Sequence, residues 1–453
     1  MKALLICYDN DGYTNFFPQG IAYVAAALRK AGHDVTIWNQ DVHHLPEADL
    51  TALLDRELFD LVGLGFCAGY YQFRRAIKIG RAVNRSKNRG NFVFVLGGHG
   101  PAAEPEWFLD KLGANIVVKG ECERVVNFTA GFQGREISGA VEIGALPGES
   151  VDDIPWPAYD LFPIDIYRLI RWPTSKRTDF CMPILSGRGC KWKCSFCYRM
   201  VPGFRPRSPE AVIEEMGYLN REWGINHFQF SDELFMSSSE RIQTFCDAML
   251  EAETHKWAKW DCNGRLNFAS EENLEIMREA GCEYINYGCE AMDDEVLRLM
   301  KKGLTVEQIE EGTRRTIEAD ISPGLNFMWG NPGDTPATLR KAVDFLLRWD
   351  PCHELRTIRP VTPYPGCPLY QEAIKKALLG GPEDFYEHKH INSDWPTVNF
   401  MEGVTDGEFT WLLKVANRRL LENFYKKRQQ EAQAEATAFY NGDNPEFRGF
   451  RAV

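Results

Sequence analysis

The stretch Ser186-Gly-Arg-Gly-Cys-Lys-Trp-Lys-Cys-Ser-Phe-Cys-Tyr198 sets Cys190, Cys194 and Cys197 in a CxxxCxxC spacing. Three thiolates this close can hold three irons of a four-iron, four-sulfur cluster, whereas a closed cluster or a structural zinc needs a fourth protein ligand. One iron is left open. Gly187 and Gly189 let the backbone turn tightly here, and Phe196, just before the third cysteine, shields the site from water. The competing readings are a zinc knuckle, or thiols that merely fill a core. Zinc sites usually pair CxxC with a second CxxC or with HxxxH at a distance, and the chain has neither.

On both sides of this loop the hydrophobic pattern alternates strand with helix. Downstream, strand-like segments end near Ser186, Ser231, Asn263, Tyr287, Trp329 and Thr362, with helical patterns between them. Ser208-Pro209 is a helix start, an N-cap hydroxyl followed by proline in the first turn. Upstream, short apolar runs at Ala3–Cys7, Val35–Trp38, Leu61–Gly65, Val93–Gly97 and Ile116–Val118 read as buried parallel strands. Helical patterns fall near Ile21–Ala31, Ala48–Glu57, Arg74–Ser86, Glu106–Leu112 and Glu121–Ala130. A doubly wound sheet of this kind binds ligands at the carboxyl ends of its strands, where the loops Asp9–Gly20, Phe66–Phe73 and Gly98–Glu104 gather. The expected α/β organisation is a Rossmann-like, flavodoxin-like domain at 1–145, a proline-rich linker at 146–180, a six-unit partial barrel at 181–370, and a small α-rich segment at 371–453 that caps the substrate.

Composition narrows the setting. The hydrophobic share of 44% and charged share of 26% are those of a globular protein. No apolar run reaches the length of a membrane span and no cleavable signal is legible, so a cytoplasmic location and no membrane partner are expected. The thirteen cysteines then read as reduced thiols. A net charge of −12 without a cationic stripe argues against a nucleic-acid partner.

The cluster loop and the segments after it resemble the radical S-adenosylmethionine (SAM) enzymes, whose partial barrel has the same count of units. In that family SAM chelates the open iron, and an electron from the cluster splits its sulfonium to release a 5′-deoxyadenosyl radical. The resemblance makes Cys190, Cys194 and Cys197 the ligands of a 4Fe-4S cluster and implies a flavodoxin- or ferredoxin-like electron donor. Phe230-Ser-Asp-Glu-Leu-Phe235 resembles the second-strand segment whose acid meets SAM, which makes Asp232 the candidate and Glu233 its understudy. Asp261-Cys-Asn-Gly-Arg265 resembles the strand that presents an arginine to the SAM carboxylate, which a guanidinium fork suits. Tyr287-Gly-Cys-Glu290 resembles the glycine-x-glutamate segment, with Glu290 accepting from the ribose hydroxyls or the SAM ammonium; Ala291 stands where a serine usually follows. Asn326–Gly333 looks like the late strand that packs on the adenine.

The first domain is similar to the cobalamin-binding domain often fused ahead of such barrels. The residues that carry this are Pro18 and Gly20 before an alanine-rich helix, Gly65 after the third strand, Gly97 and Gly98 after the fourth, and Gly120 and Glu121 after the fifth. Glycines there let the backbone approach a bulky ligand. The DxHxxG pattern that supplies a histidine to cobalt is missing after the first strand, and His43 and His44 read as surface residues, so cobalamin is expected without a protein histidine on cobalt. The resemblance implies a cobalamin-dependent radical SAM enzyme of the class B methyltransferase and porphyrin-cyclase group. Its expected reaction is methylation of an unactivated carbon of a small-molecule substrate, through methylcobalamin and the deoxyadenosyl radical. The alternatives are cyclisation or oxidative rearrangement on the same scaffold, or methylthiolation with a second cluster held by Cys7, Cys67 and Cys122. Arg359–Tyr370 is expected to face the substrate.

Overall fold

The computed structural model describes residues 1–11, 16–125, 138–144, 149–201 and 203–443. Two parallel sheets organise it. The first has the order β2-β1-β3-β4-β5-β6. Its strands are β1 (Lys2–Cys7), β2 (Asp34–Asn39), β3 (Leu61–Gly65), β4 (Val93–Gly97), β5 (Ile116–Gly120) and β6 (Gly139–Ile143). This is the flavodoxin-like order with its switch point between β1 and β3. Strands β1, β3 and β4 are almost wholly buried, as uninterrupted Leu, Ile and Val runs require of a sheet covered on both faces. The sequence reading missed β6, whose alternating pattern marks an edge strand half in solvent. Of the helix expected over Glu121–Ala130, only a 3₁₀ turn at Cys122–Val125 is present among the described residues, and the remainder lies outside them.

The second sheet runs β14-β13-β12-β11-β10-β7, all parallel: β7 (Cys181–Ile184), β10 (His227–Phe230), β11 (Lys259–Gly264), β12 (Cys282–Glu290), β13 (Ser322–Trp329) and β14 (Arg359–Pro360). Two short strands, β8 (Gly187–Arg188) and β9 (Arg205–Pro206), pair antiparallel and enclose the cysteine loop between them. The Ser208 hydroxyl caps the helix Pro209–Trp223 as its sequence dictates, accepting from the Ala211 N–H at 3.3 Å.

The proline-rich linker is packed into the protein over Tyr159–Tyr167. Tyr159, Phe162, Ile164 and Tyr167 are buried, and the Phe17 ring packs 5.2 Å from both Tyr159 and Phe162. With Cys7, Phe17 and Ala22 of the first domain they join the barrel's own core, so one hydrophobic core runs through both sheets. The linker's buried Tyr159, Phe162 and Tyr167, not its prolines, decide its placement: burying each gains a few kcal/mol that exposure would forgo.

The end of the barrel and the C-terminal segment brace the first domain. Leu369, Tyr370, Phe385 and Tyr386 pack on the helices of the first domain, with Tyr386 stacked on Trp107 at 5.2 Å and Glu387 paired to Arg74 and Lys111 at 3.0 and 2.8 Å. The long helix Asp406–Tyr440 then returns to the barrel, where Phe409 lies edge-on to Trp329 at 5.0 Å. Gly330 permits this approach: its φ is +99°, and a Cβ there would stand 2.5 Å from the Phe409 ring.

Candidate functional site

Two cavities meet at the cysteine loop. The first, of about 410 Å³, opens over the carboxyl ends of β1, β3, β4 and β5. Pro18, Gly20, Gly65, Gly97, Gly98 and Gly120 all line it, as the sequence reading expected. Glu121 does not. Its buried carboxylate pairs with Arg205, while Glu123, which does line the cavity, pairs with Arg188 two residues before Cys190. These ion pairs fasten the cavity wall to the β8–β9 hairpin that carries the cysteine loop.

The glycines serve two different purposes. A Cβ on Gly20 would meet nothing within 4 Å, because that position faces the open cavity. At Gly98 a Cβ would fall 2.6 Å from the Phe66 carbonyl oxygen, at Gly97 2.8 Å from Cys122 Sγ, and at Gly120 2.2 Å from the Ile143 carbonyl oxygen. At Gly98 and Gly120, with φ of +91° and +95°, the protein's own backbone packing demands glycine, and at Gly97 the Cys122 side chain would have to shift. His43 and His44 are exposed and line neither cavity. His99, which the sequence reading passed over, does line the first, edge-on to Tyr198 at 6.0 Å, and loss of solvent lowers its pKa so that the ring stays neutral.

Within the cysteine loop, burial pushes the Cys197 thiol up to about 12, with Cys194, Glu233 and Cys190 adding to the effect. The three thiols are thus neighbours. Among the described residues, however, no three His, Cys, Asp or Glu side chains converge on a point that would hold a single metal ion.

The barrel acids and arginine all make contacts within the protein. Asp232 is buried and its carboxylate accepts from the Ser186 N–H at 2.7 Å and from the Ser186 hydroxyl, so it ties β10 to the start of the cysteine loop. Burial raises its pKa to about 6 against the restraint of those bonds. The neighbouring Glu233 is exposed and close enough to the thiols to raise their pKa values, which makes the understudy the acid that faces the loop. Arg265 lies over the Trp192 ring at 3.8 Å and donates through Nη2 to the carbonyls of Lys302 and Gly303, with Nε on Asn267 at 3.2 Å. It clamps the cysteine loop to the turn after the helix Asp294–Leu299.

Glu290 sits at a β12 bulge with φ of +71°, paired to the buried Lys302 at 2.8 Å. It lines the second cavity, of about 410 Å³, together with Phe196, Asn326, Arg356 and Tyr364. Of the expected substrate-facing stretch, Arg359, Pro360, Thr362 and Tyr364 reach this cavity, while Cys367, Leu369 and Tyr370 are buried against the first domain. A polar ladder missed by the sequence reading crosses the barrel here. Asn286 donates to Asn263 at 3.1 Å, Asn326 to Asn286 at 2.7 Å, and Arg356 to Asn326 at 3.4 Å. Its sequence trace is one asparagine on each of three successive strands, which the strand pattern alone does not align.

No helix among the described residues is long and apolar enough to cross a membrane. The radical SAM superfamily profile matches residues 184–346, and that of the B12 binding domain matches residues 2–127. The chain is 28% identical over 382 residues to an uncharacterized methyltransferase of Pyrococcus horikoshii, covering 80% of this chain and 79% of that one. It is 27% identical to the anaerobic magnesium-protoporphyrin IX monomethyl ester cyclase of Cereibacter sphaeroides, covering 78% of this chain and 60% of that one. The hopanoid C-3 methylase of Methylococcus capsulatus is also 27% identical, over 78% of this chain and 69% of its own. Among solved structures, the fold is similar to TsrM, a radical S-adenosylmethionine methyltransferase from Kitasatospora setae, with a TM-score of 0.63 and 18% identity over 83% of this chain and 76% of that one.

Proposed function

We propose that this chain, which belongs to the radical SAM enzymes with an N-terminal cobalamin-binding domain, transfers a methyl group to an unactivated carbon of a small molecule. The observation that carries this reading is that one loop borders both cavities: Met200 lines the glycine-rich cavity and Phe196 lines the barrel cavity. When bound, the cluster supplies the electron that cleaves SAM, and cobalamin supplies a carrier for the methyl group.

The chain's own residues do the positioning. Cys190, Cys194 and Cys197 would hold the cluster, with Asp232 and Arg265 fixing the two edges of their loop through Ser186 and Trp192. Glu290, held by Lys302, presents an acceptor to the barrel cavity, and Asn326 and Arg356 present polar groups beside it. Gly20 leaves the first cavity open for the corrin, and the apolar wall of Leu5, Val24, Val95 and Val118 suits its nucleotide tail. Phe196, Met328 and Tyr364 line the second cavity with apolar surface, which protects a radical from water. The cobalt carries no protein histidine in this reading. Ring closure without methyl transfer is the second reading, favoured by the similarity to the cyclase. Methylthiolation has less support, because Cys7 is buried in the core.

The test is anaerobic reconstitution. The wild type should hold about four irons, bind hydroxocobalamin, and release 5′-deoxyadenosine from SAM under dithionite. Changing Cys190, Cys194 and Cys197 together to alanine should remove iron and cleavage yet leave cobalamin bound. Iron or cleavage surviving in that variant would refute the assignment. The cob(II)alamin paramagnetic spectrum of His99→Ala should match that of the wild type; loss of a nitrogen splitting would put His99 on cobalt.

A further inference from the structure

We propose that the outer face of the cysteine loop, together with the turn at Met300–Gly303, is the docking surface for the electron donor, and that the donor is a small acidic redox protein of the flavodoxin or ferredoxin type. This rests on the reading that Cys190, Cys194 and Cys197 hold a reducible cluster. In each encounter the cluster gains one electron and the donor loses one, and no group or proton need move with it.

Lys191 and Lys193 stand between the first two ligands and both are exposed. Lys301 is exposed in a turn fastened beside them: the Ser195 N–H donates to the Met300 carbonyl at 2.8 Å, and Gly303 abuts the Trp192 ring, where a Cβ would be 3.0 Å from Cζ3. Lys301 adopts a φ of +53°, outside the helix that precedes it. Among the described residues none of these three lysines forms an ion pair, whereas the nearby Arg298 is matched by Glu295 at 2.6 Å. Three unmatched cations on two adjoining loops are conspicuous in a chain of net charge −12. The depression beside them, of about 500 Å³, is lined by Leu297, Lys301, Gly303 and Leu304 with Asp294 and Arg298, and offers a partner relief in which to seat a side chain.

The inner side of the same loop faces the cavity of Phe196, Glu290 and Asn326, reserved in this reading for SAM and substrate. An electron must therefore enter from outside. A cationic rim around the entry point attracts an acidic donor and repels the basic partners that could also reach it, and complementary charge raises association rates by roughly 10–1,000-fold at low salt.

The experiment uses the full-length, iron-reconstituted protein and a flavodoxin of net negative charge, with cluster reduction followed in a stopped-flow spectrophotometer. Lys191→Glu combined with Lys193→Glu and Lys301→Glu should lower the second-order rate by about tenfold or more. Added salt should slow the wild type and speed the variant, whose three glutamates repel the donor. Reduction by dithionite, and SAM cleavage driven by it, should be unchanged. Should the triple variant fail to take up iron, Lys301→Glu, which lies outside the ligand loop, should show a smaller fall and a weaker salt dependence than the wild type. Equal rates for wild type and variant, or no reduction of the wild type by flavodoxin or ferredoxin while dithionite succeeds, would overturn the docking surface. Failure of dithionite to support SAM cleavage in the wild type would instead overturn the cluster reading beneath it.

Discussion

Replacing Gly20 with phenylalanine should abolish cobalamin binding in a protein that still folds. Gly20 is the second residue of the helix Gln19–Lys30 and lines the cavity, and a Cβ there would meet nothing within 4 Å. Phenylalanine is a better helix former than glycine by a few tenths of a kcal/mol, so stability should hold or rise slightly. A phenyl ring standing in a cavity of about 410 Å³ denies the space to a rigid macrocycle, and a hundredfold loss of affinity needs only about 2.7 kcal/mol. Gly98→Ala is the contrasting perturbation. Its φ of +91° and ψ of 176° lie in a region open essentially to glycine alone, which costs an alanine about 1–3 kcal/mol. The methyl group's approach to 2.6 Å from the Phe66 carbonyl adds overpacking of about 1–3 kcal/mol. The sum is about 2–6 kcal/mol of lost stability before any ligand is considered. The assay titrates each purified chain with hydroxocobalamin, measures its urea midpoint without ligand, and counts its iron. Wild-type affinity in Gly20→Phe would show that the cavity is not the corrin site. Wild-type stability in Gly98→Ala with binding lost would show that this glycine serves the ligand and that the packing argument is wrong.

Arg265→Met should release iron from the reconstituted protein on desalting as well as weaken SAM binding, because the carbonyls of Lys302 and Gly303 lose their charged donor, a contact of about 1.5–3 kcal/mol. Full iron retention with a tenfold loss of SAM affinity would mean that the guanidinium anchors SAM and does not brace the loop. Asp232 has its pKa raised to about 6 from 3.8, so the folded chain holds that proton more tightly than the unfolded one. Its stabilising effect is complete below pH 3.8 and is lost as pH rises through 6, a change of about 3 kcal/mol for the metal-free chain. Urea midpoints of Asp232→Asn across this range should lack that slope, and an identical slope in both chains would remove Asp232 as its source.

The chain's local chemistry was legible without a structure because it is written in spacing and period. CxxxCxxC fixes which thiols can share a cluster, and uninterrupted apolar runs at short intervals fix buried parallel strands with glycines at their ends. Pro18, Gly20 and the glycines after β3, β4 and β5 were found for that reason, and all reach one cavity. Which partner each polar side chain takes was not legible, since that depends on groups distant in sequence. Asp232 turns to Ser186, Arg265 to the carbonyls of Lys302 and Gly303, and Glu121 to Arg205 only because the loop, the turn and the two sheets meet there. The same limit hid the buried strap at Tyr159–Tyr167 and the Asn263–Asn286–Asn326 ladder. A proline-rich stretch has the composition of a tether until an apolar surface lies within reach of its aromatics, and asparagines on three strands become one hydrogen-bonded row only when strand register aligns them.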